Sequence, residues 1–342
     1  HTVTRPPRPL AVGMPVVTAT QIVKPFEDEI RDTLAKANTA VRLVGLLANS
    51  DKEARMYADW TRKACERVGI EYELREAPRL ELEEAVIAAN DDPSVHGILV
   101  YYPVFGGQLD DYIQNIVSIQ KDVEGMNYRY RYCLYHNERF VEPGKRAILP
   151  CTPLACVKII EHCGAYDMSK PVGKQLEGKV VTVVNRSEIV GRPLAAMLAN
   201  DGAYVYSVDV TGLLVYCAGK VPGTIKVAET EVTRDEALAK SDIVVSGVPS
   251  ASFQIPTDAL RDGVIAINFA PQCNFDKEAV AKKGTIVPAI GKMTIAMLQR
   301  NLLRLHSNFS SPPQYAGDAA PKADSKATHS QEQTWIDQAL SK

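Results

Sequence analysis

One segment of the chain has the residue types and spacing needed to bind a phosphate-bearing cofactor. Residues 179–185 are mostly apolar and predict a buried strand, residues 186–193 form a polar loop, and a helix follows through Met197. Such a strand-loop-helix turn points free backbone N–H groups and the positive end of the helix dipole at a pyrophosphate. The loop lacks a complete G-x-G-x-x-G sequence, so an ordinary turn between a strand and a helix is the alternative interpretation.

The strand after this loop predicts which dinucleotide binds. It ends at Asp209, 24 residues after Asn185. An acidic side chain at this place accepts hydrogen bonds from both ribose hydroxyls of NAD and repels the 2′-phosphate of NADP. We therefore expect NAD as the cofactor. The spacing of the histidines, cysteines and carboxylates matches no metal site, so we expect no metal.

Composition and charge exclude several classes of protein. The 342 residues include 39 basic and 41 acidic side chains, for a formal net charge of -2 at pH 7, whereas nucleic-acid binding normally needs a basic excess. No apolar run approaches the roughly 18 residues of a transmembrane helix. The seven cysteines include no C-x-x-C pair, which is typical of free thiols in a reducing compartment. We therefore expect a cytoplasmic protein that binds neither nucleic acid nor membrane.

The elements that position the loop alternate between strand and helix, as in an α/β protein. Apolar runs at residues 41–48 and 97–102 alternate with amphipathic helices, and a second alternating set begins near residue 150. This alternation predicts parallel, doubly wound sheets, and the length favours two domains. We place the first domain at residues 14–150, joined by a returning C-terminal helix at 292–308, and a Rossmann domain at 151–291.

Three further expectations concern the remaining elements. Residues 211–240 fit the alternation poorly and suggest an extended loop with strand-like pieces. Residues 310–342 are mostly small or polar; they cannot bury enough apolar surface to offset their ordering entropy, so we expect a mostly disordered tail. One helix is expected to bury a stripe of residues at four-residue spacing: Met56, Trp60, Ala64 and Val68.

Four motifs, in the same order along the chain, resemble those of the methylenetetrahydrofolate dehydrogenase/cyclohydrolase family. Residues 185–193, Asn-Arg-Ser-Glu-Ile-Val-Gly-Arg-Pro, are similar to the family's loop G-R-S-x-I-V-G-x-P. Residues 121–125, 150–153 and 293–298 read K-D-V-E-G, P-C-T-P and M-T-I-A-M-L, and resemble K-D-V-D-G, P-C-T-P and P-M-T-V-A-M-L. The similarity extends from residue 15 to residue 306, and its departures resemble the family's monofunctional, NAD-dependent fungal subgroup.

This resemblance implies an activity as well as a fold. The first domain would bind folate, and the reaction would oxidise 5,10-methylenetetrahydrofolate to 5,10-methenyltetrahydrofolate with hydride transfer to NAD, in one-carbon metabolism and purine biosynthesis. The resemblance also implies a homodimer. Two alternatives stay open. One is a bifunctional enzyme that also hydrolyses the methenyl product as a cyclohydrolase, and the other is a non-catalytic regulatory protein that binds NAD or folate.

The same resemblance implies roles for three residues of a folate pocket that faces the nicotinamide. Tyr57 would stack on the aminobenzoate of the folate, and Glu124, an Asp in the family motif, would hold the pterin. Tyr101 stands where the family has Gln and would line the same pocket. Without the family, a surface Tyr57, a solvated Glu124 and a core-packing Tyr101 are the alternative interpretations.

A fourth pocket residue bears on hydrolysis. The family's bifunctional members carry Tyr-x-x-x-Lys on a helix, and their Lys serves water attack. This chain has Thr61 four residues after Tyr57, on the same helix face, and Thr supplies no amine. The resemblance therefore implies a dehydrogenase without cyclohydrolase activity. Two other lysines could replace the family's lysine. Lys63 lies about 240° around the helix from Tyr57 and should point away from the pocket. Lys292 lies in a segment shorter than the family's P-G-G-V-G-P-M-T, and the sequence does not exclude it.

The expected NAD site combines the phosphate loop with residues near the ends of the following strands. Asn185 replaces the first glycine of the family's loop, which we expect to alter how closely the backbone meets the pyrophosphate. The cofactor-binding residues that we assign are Asn185, Arg186, Ser187, Val190, Gly191, Asp209, Val210, Gly247, Val248, Pro249, Asn268 and Ala270.

Cys151 is the candidate catalytic residue. It precedes Thr152 and Pro153, which predict the N-cap and the first residue of a helix. A helix N-terminus stabilises a thiolate, so Cys151 would line the cleft as a reactive thiol, although hydride transfer needs no nucleophile. A buried and unreactive cysteine is the alternative.

Overall fold

Two main β-sheets with helices packed on them make up the protein. The computed structural model describes residues 15–37, 40–221 and 223–309. The first sheet is parallel, with β1 in the centre, and consists of β1 (Arg42–Leu47), β2 (Glu71–Glu76) and β3 (Gly97–Val100). The tail predicted at 310–342 lies outside the described residues, as does residue 14 at the predicted start of the first domain.

The central strand of this sheet explains the apolar run seen in the sequence. β1 reads Arg-Leu-Val-Gly-Leu-Leu and is buried along its length except at its first residue, because a central parallel strand is covered on both faces. A Cβ on its Gly45 would lie 2.3 Å from the hydroxyl oxygen of Tyr72 and 3.0 Å from the ring of Tyr101. Glycine here leaves the space that these two aromatic side chains fill.

The first five helices of the chain accompany the first sheet in sequence, and the second of them carries part of the candidate site. They are α1 (Ala19–Ala37), α2 (Lys52–Val68), α3 (Leu82–Asp91), α4 (Gln108–Ile116) and α5 (Tyr128–Tyr135). The side chain of Asp51 caps the start of α2 by accepting a hydrogen bond from the N–H of Glu53, and Gly69 ends the helix in the left-handed conformation, with φ +89°.

The stripe predicted for α2 is wrong in its first half. Met56 and Trp60 are 45% and 50% exposed, whereas the inward face carries small residues: Ala58, Thr61, Ala64, Cys65 and Val68. α2 packs between β1, β2, α1 and α10 (Gly291–Phe309), and small side chains allow this close approach. The helical spacing predicted the helix correctly, but the buried residues are those small enough to fit against the neighbouring elements.

A linker region joins the first sheet to the second. It contains a short antiparallel pair, β4 (Phe140–Glu142) and β5 (Lys145–Arg146), followed by α6 (Cys151–His162). α6 begins two residues earlier than the sequence predicted, because Pro150 occupies the N-cap and Cys151 is the first helical residue. Thr152 is therefore not the N-cap, and Pro153 lies inside the first turn, where its missing N–H costs no helical hydrogen bond.

The second sheet has seven strands, with α7 (Gly191–Asn200), α8 (Arg234–Lys240) and α9 (Lys277–Lys283) packed around it. The strands are β6 (Val180–Val184), β7 (Tyr204–Asp209), β8 (Gly212–Ala218), β9 (Ile225–Glu229), β10 (Ile243–Ser246), β11 (Ile265–Asn268) and β12 (Thr285–Val287). Their order across the sheet is β12-β11-β10-β6-β7-β8-β9. The five strands from β12 to β7 are parallel, and β8 and β9 extend the sheet in the antiparallel sense.

Most of the described residues within 211–240 lie in regular elements, so the strand-like pieces that the sequence suggested are present but the extended loop is wrong. They form β8, β9 and α8. The hairpin of β8 and β9 interrupts the strand-helix alternation, which is why the pattern did not fit. α8 starts with a capping box, in which Thr233 and Glu236 bond each other's backbone N–H groups.

The last helix joins the two parts of the chain, as predicted. α10 packs against α1, α2 and α6 and buries the predicted residues Ile295, Leu298, Leu302 and Leu305. The chain is thus a two-part α/β protein whose C-terminal helix returns to the first part. None of the helices within the described residues is long and apolar enough to cross a membrane.

Candidate active site

A cavity of about 680 Å³ opens at the carboxyl ends of β6, β7 and β10. The chain leaves β6 toward β7 on one side and reaches β10 on the other. Ligands of open α/β sheets bind outside such a reversal of strand order. The lining residues are Val184, Asn185, Val208, Asp209, Val210, Thr233, Arg234, Asp235, Val248, Pro249 and Phe253.

The loop after β6 has the tight backbone that a dinucleotide-binding turn requires. Asn185 has φ +103°, a conformation that glycine adopts without strain and that Asn tolerates better than most residues. At Gly191, the first residue of α7, a Cβ would lie 1.7 Å from the carbonyl oxygen of Asn185. Only glycine fits at Gly191, which leaves the start of α7 directly against the loop.

The side chain of Asn185 holds this conformation in place. Its Nδ2 donates to the carbonyl oxygen of Gly247 at 2.6 Å, and its Oδ1 accepts from the N–H of Ser187 at 2.9 Å. These bonds connect the loop to the end of β10. An asparagine thus replaces the expected glycine with the left-handed backbone retained and with an added tether.

Asp209 lies at the end of β7, where the sequence predicted an acidic residue beside the ribose. Its two carboxylate oxygens accept from the N–H groups of Arg186 and Val210, each at 2.7 Å. The guanidinium of Arg186 points away toward the β7-β8 turn, where it donates to the carbonyl oxygens of Ser207 and Gly212. The Asp209 carboxylate therefore faces the cavity without a guanidinium from the loop.

Sequence reasoning missed the residues that α8 contributes to this cavity. Thr233, Arg234 and Asp235 line it from the start of α8, and Phe253 closes it from the loop after β10. Arg234 is held by Asp235, with Nε 3.0 Å from Oδ1. The capping-box sequence Thr-Arg-Asp-Glu was a signal for this helix start.

The other predicted cofactor residues do not line the cavity but support the backbone around it. The hydroxyl oxygen of Ser187 accepts from the N–H groups of Val190 and Gly191 at 3.3 and 3.4 Å. The Nδ2 of Asn268 donates to the carbonyl oxygens of Ala270 and Pro288. Neither Asn268 nor Ala270 lines the cavity. Of the assigned set, the lining residues are Asn185, Asp209, Val210, Val248 and Pro249.

A second group of predicted residues meets at the first sheet. The rings of Tyr57 and Tyr101 lie edge to face, with centroids 6.1 Å apart. Thr61 is fully buried, and its hydroxyl donates to the carbonyl oxygen of Tyr57 at 2.9 Å. The hydroxyls of Tyr101 and Tyr72 are 2.7 Å apart and share a hydrogen bond. Thr61 and Tyr101 thus belong to one buried polar network beside Tyr57.

Glu124 completes this group from the segment between α4 and α5. Its neighbour Asp122 is buried and accepts from the N–H groups of Glu124, Gly125 and Asn127 at 2.7–3.1 Å. Burial raises the pKa of Glu124 to about 8, and the Asp122 carboxylate adds to the shift. Near neutral pH a protonated Glu124 can donate a hydrogen bond as well as accept one.

Tyr102 is a site residue that the sequence did not reveal. Its hydroxyl is buried and has no hydrogen-bond partner among the residues that the structure describes. Burial raises the pKa of Tyr102, and the carboxylates of Glu124 and Asp122 raise it further. A buried hydroxyl without a partner is costly, so this position suits a polar group of a ligand.

Cys151 lies buried beside the same group. Its Sγ donates to the carbonyl oxygen of Val123 at 3.2 Å, and the Nδ2 of Asn301 lies 3.5 Å from it. Burial raises the pKa of Cys151 well above its ordinary value, and the nearby Glu124 carboxylate raises it further. Burial and negative charge thus oppose the helix dipole, which favours the buried, unreactive cysteine over the reactive thiol.

The described residues contain no cluster of three or more His, Cys, Asp or Glu side chains that could hold a metal ion. The geometry is instead that of a dinucleotide cavity and a separate group of polar and aromatic side chains beside α6 and α10. Asn301 of α10 holds the chain next to this second group, since its Nδ2 also donates to the carbonyl oxygens of Val123 and Leu149 at 2.9 and 2.8 Å.

Comparison with known proteins agrees with this division. A model described as the catalytic domain of tetrahydrofolate dehydrogenase/cyclohydrolase matches residues 17–124. A model described as the NAD(P)-binding domain of the same family matches residues 150–310. The chain belongs to this family.

Relatives in the family are similar to almost the whole chain. Methylenetetrahydrofolate dehydrogenase [NAD(+)] of Dictyostelium discoideum is 52% identical, and the alignment covers 85% of this chain and 94% of that protein. The protein of the same name from Schizosaccharomyces pombe is 48% identical over 85% and 93% of the two chains. The solved structure of the NAD-dependent 5,10-methylenetetrahydrofolate dehydrogenase from Saccharomyces cerevisiae superposes with a TM-score of 0.82 at 44% identity, over 86% of this chain and 97% of that chain.

Proposed function

We propose that this family member is an NAD-dependent dehydrogenase that oxidises 5,10-methylenetetrahydrofolate to 5,10-methenyltetrahydrofolate. The observation that carries the proposal is the Asp209 carboxylate, which faces the dinucleotide cavity at the end of β7. The similarity to relatives named for NAD(+), at 52% and 48% identity, supports the same activity.

The cofactor cavity suits NAD by charge and by shape. The remaining lone pairs of the Asp209 carboxylate can accept from ribose hydroxyls, and the loop that ends at Gly191 turns the start of α7 toward a pyrophosphate. The cavity lining carries two carboxylates, Asp209 and Asp235, and one guanidinium, that of Arg234, which pairs with Asp235. The lining is therefore negative and repels the 2′-phosphate of NADP. When bound, NAD supplies the hydride acceptor.

The aromatic pair of Tyr57 and Tyr101, with Glu124 and Tyr102 on the neighbouring segments, suits the folate. Tyr57 offers a ring face to the aminobenzoate, while Glu124 and the unpartnered hydroxyl of Tyr102 offer polar contacts to the pterin. Loss of hydride leaves a cation that the two flanking nitrogens of the folate stabilise, so no general base is needed. The protein must hold the methylene carbon about 3–3.5 Å from its acceptor. The raised pKa of Cys151 fits a reaction without a nucleophile.

We also propose that the enzyme lacks cyclohydrolase activity. Thr61 stands at the position of the family's lysine, and its hydroxyl is used by the carbonyl oxygen of Tyr57. Next to it, Tyr72 and Tyr101 share a hydrogen bond, and both groups are neutral hydroxyls. The possible substitute, Lys292, donates to the hydroxyl of Thr20 at 2.8 Å. Among the described residues, neither Thr61 nor its neighbours Tyr72 and Tyr101 offers an amine to assist water attack.

One assay with two readouts tests these proposals. Purified protein with methylenetetrahydrofolate and NAD should produce NADH, followed by absorbance, whereas a non-catalytic binding protein would produce none. Tyr57→Ala should raise the KM for the folate, and Tyr128→Ala, on an exposed ring of α5, should not. Decay of methenyltetrahydrofolate should be no faster with enzyme than without. Enzyme-dependent hydrolysis at a rate comparable to NADH formation would overturn the monofunctional proposal.

The remaining expectations are proposals of the same kind. We propose domains at 14–150 with 292–308 and at 151–291, a homodimer, and a cytoplasmic location. The homodimer is supported by β9, which is the last strand of its sheet and so leaves an edge that a second copy could pair with. The location is supported by seven free cysteines, which suit a reducing compartment. Light scattering of the purified protein measures the oligomeric state.

A further inference from the structure

Tyr72 of β2 is a tyrosine to which the proposed reaction gives no role. β2 and β3 flank the central strand β1, and the side chains of Tyr72 and Tyr101 extend over β1 from these two sides. They meet above Gly45 of β1, where the two hydroxyl oxygens are 2.7 Å apart. Tyr72 therefore reaches the side chains around Tyr57 from a neighbouring strand.

The hydrogen bonds around Tyr101 have only one possible direction. Each hydroxyl has one hydrogen to donate. The hydroxyl of Thr61 donates its hydrogen to the carbonyl oxygen of Tyr57 at 2.9 Å, so it accepts from the hydroxyl of Tyr101, to which it is also bonded. Tyr101 uses its own hydrogen in this bond, so Tyr72 is the donor across the 2.7 Å contact. The chain of bonds therefore runs from β2 to the backbone of α2 at Tyr57.

The ring of Tyr101 is held on several sides and in turn supports Tyr57. Tyr101 is only 4% exposed. A Cβ at Gly45 would lie 3.0 Å from Cε2 of Tyr101 and 2.3 Å from the hydroxyl oxygen of Tyr72, so both rings lie tightly against β1. The ring of Tyr57 meets that of Tyr101 at an interplanar angle of 77°, with the centroids 6.1 Å apart. The orientation of Tyr57 therefore depends on the position of Tyr101.

The tyrosines of this chain of bonds stay protonated near neutral pH. Burial raises the pKa of Tyr72 to about 12 and also raises the pKa of Tyr101. The nearby Glu124 differs, because its pKa is about 8. An effect that arises from Tyr72 should therefore be independent of pH in the range where Glu124 titrates.

We propose that Tyr72 is a positioning residue for the folate, which holds the ring of Tyr101 so that Tyr57 presents its face to the aminobenzoate. The inference rests on the proposed function, in which Tyr57 contacts the aminobenzoate. Aromatic contacts depend on the relative orientation of the rings, so a displaced Tyr101 would weaken the stack on Tyr57. The stack is present in the ground state and in the transition state alike, so its loss should weaken binding without slowing hydride transfer.

The first test compares Tyr72→Phe, which removes one oxygen atom, with the unmodified protein. Two quantities should rise about threefold to tenfold, the effect of one lost neutral hydrogen bond: the calorimetric Kd for tetrahydrofolate, which carries the same aminobenzoate, and the KM for methylenetetrahydrofolate with NAD. The value of kcat should stay within about twofold. The rise in Kd should be the same at about pH 7 and about pH 9, since the tyrosines do not titrate between these values.

Two further variants show whether Tyr72 acts through Tyr101. Tyr101→Phe removes the same hydrogen bond from its other side, so adding Tyr72→Phe to that variant should change the Kd by less than about twofold. Gly45→Ala leaves both tyrosines in the chain but places a Cβ where the hydroxyl of Tyr72 lies. It should raise the Kd by a factor similar to that of Tyr72→Phe.

The matched control is Tyr112→Phe on α4. Tyr112 is 51% exposed, and its hydroxyl donates to the carboxylate of Glu83 at 2.9 Å. The control thus removes the same atom and one hydrogen bond outside the group around Tyr57, and it should leave the Kd and the KM unchanged.

Several results would overturn the positioning role of Tyr72. They are an unchanged Kd in Tyr72→Phe, a lower kcat with the KM unchanged, and a full additional rise in the Kd when Tyr72→Phe is combined with Tyr101→Phe. Absence of NADH with the unmodified protein would instead overturn the proposed function. The Kd for tetrahydrofolate would still decide the role of Tyr72, because it is measured without turnover.

Discussion

Replacing Asp209 by serine should relax the choice between NAD and NADP. The Asp209 carboxylate faces the cavity at the end of β7 and accepts from the N–H groups of Arg186 and Val210. Two unit charges 4 Å apart interact by about 4 kcal/mol at an effective dielectric constant of 20. The 2′-phosphate of NADP carries at least one such charge, so the carboxylate should disfavour NADP by about two to three powers of ten.

The variant should lose most of this discrimination but not reverse it. Asp235 remains in the cavity lining beside Arg234, and the guanidinium of Arg186 stays bonded to the carbonyl oxygens of Ser207 and Gly212. We expect the ratio of kcat/KM for NAD over NADP to decrease by about 100-fold, which corresponds to about 2.7 kcal/mol. The value for NAD should itself decrease by about tenfold, because the ribose loses a charged acceptor.

The assay is kcat/KM for both cofactors at a fixed folate concentration, before and after the substitution. Asp258→Ser is the matched control, since Asp258 lies in a short 3-10 turn, Thr257–Ala259, and does not line the cavity. It removes the same charge from the same part of the chain and should leave the ratio unchanged. Equal efficiency with both cofactors in the unmodified enzyme would refute the reasoning, as would a ratio that Asp209→Ser leaves as it was.

Three further substitutions follow from the site geometry. Gly191→Ala should weaken NAD binding by at least about tenfold in a calorimetric titration, since its Cβ would lie 1.7 Å from the carbonyl oxygen of Asn185; unchanged affinity would contradict the loop geometry. Cys151→Ser should stay active, and an alkylating reagent should label the partly exposed Cys217 before Cys151 in mass spectrometry; faster labelling of Cys151 would contradict its raised pKa. The folded state holds a proton on Glu124 up to about pH 8, whereas the unfolded state loses it near pH 4.5, so stability should decrease between these values. Glu124→Gln should flatten that decrease in thermal unfolding, and an unchanged slope would show that Glu124 is ionised.

The sequence by itself determined the features that depend only on residues close together in the chain. The apolar runs of β1 and β6, the loop ending at Gly191, and the acidic end of β7 at Asp209 follow from local patterns. The position of Thr61 beside Tyr57 follows from helical spacing alone. Such features are encoded locally because strand alternation, helix periodicity and backbone preferences act over a few residues.

Tertiary structure decided which of these residues share an environment. The buried face of α2 was set by α1, α10 and the sheet rather than by the largest apolar residues. The contribution of α8 to the cofactor cavity depended on how the β8-β9 hairpin extends the sheet.

The pKa of Cys151 was likewise decided by the tertiary structure. It followed from burial and from Glu124 nearby, and Asn301, 150 residues away in sequence, lies against its thiol. The sequence placed Cys151 at a helix N-terminus and left two alternatives open, a reactive thiol and a buried, unreactive cysteine. The packed structure favours the second, because it removes water and adds negative charge. Burial and electrostatic fields sum over all surrounding atoms, so no local pattern in the sequence could have given their sign.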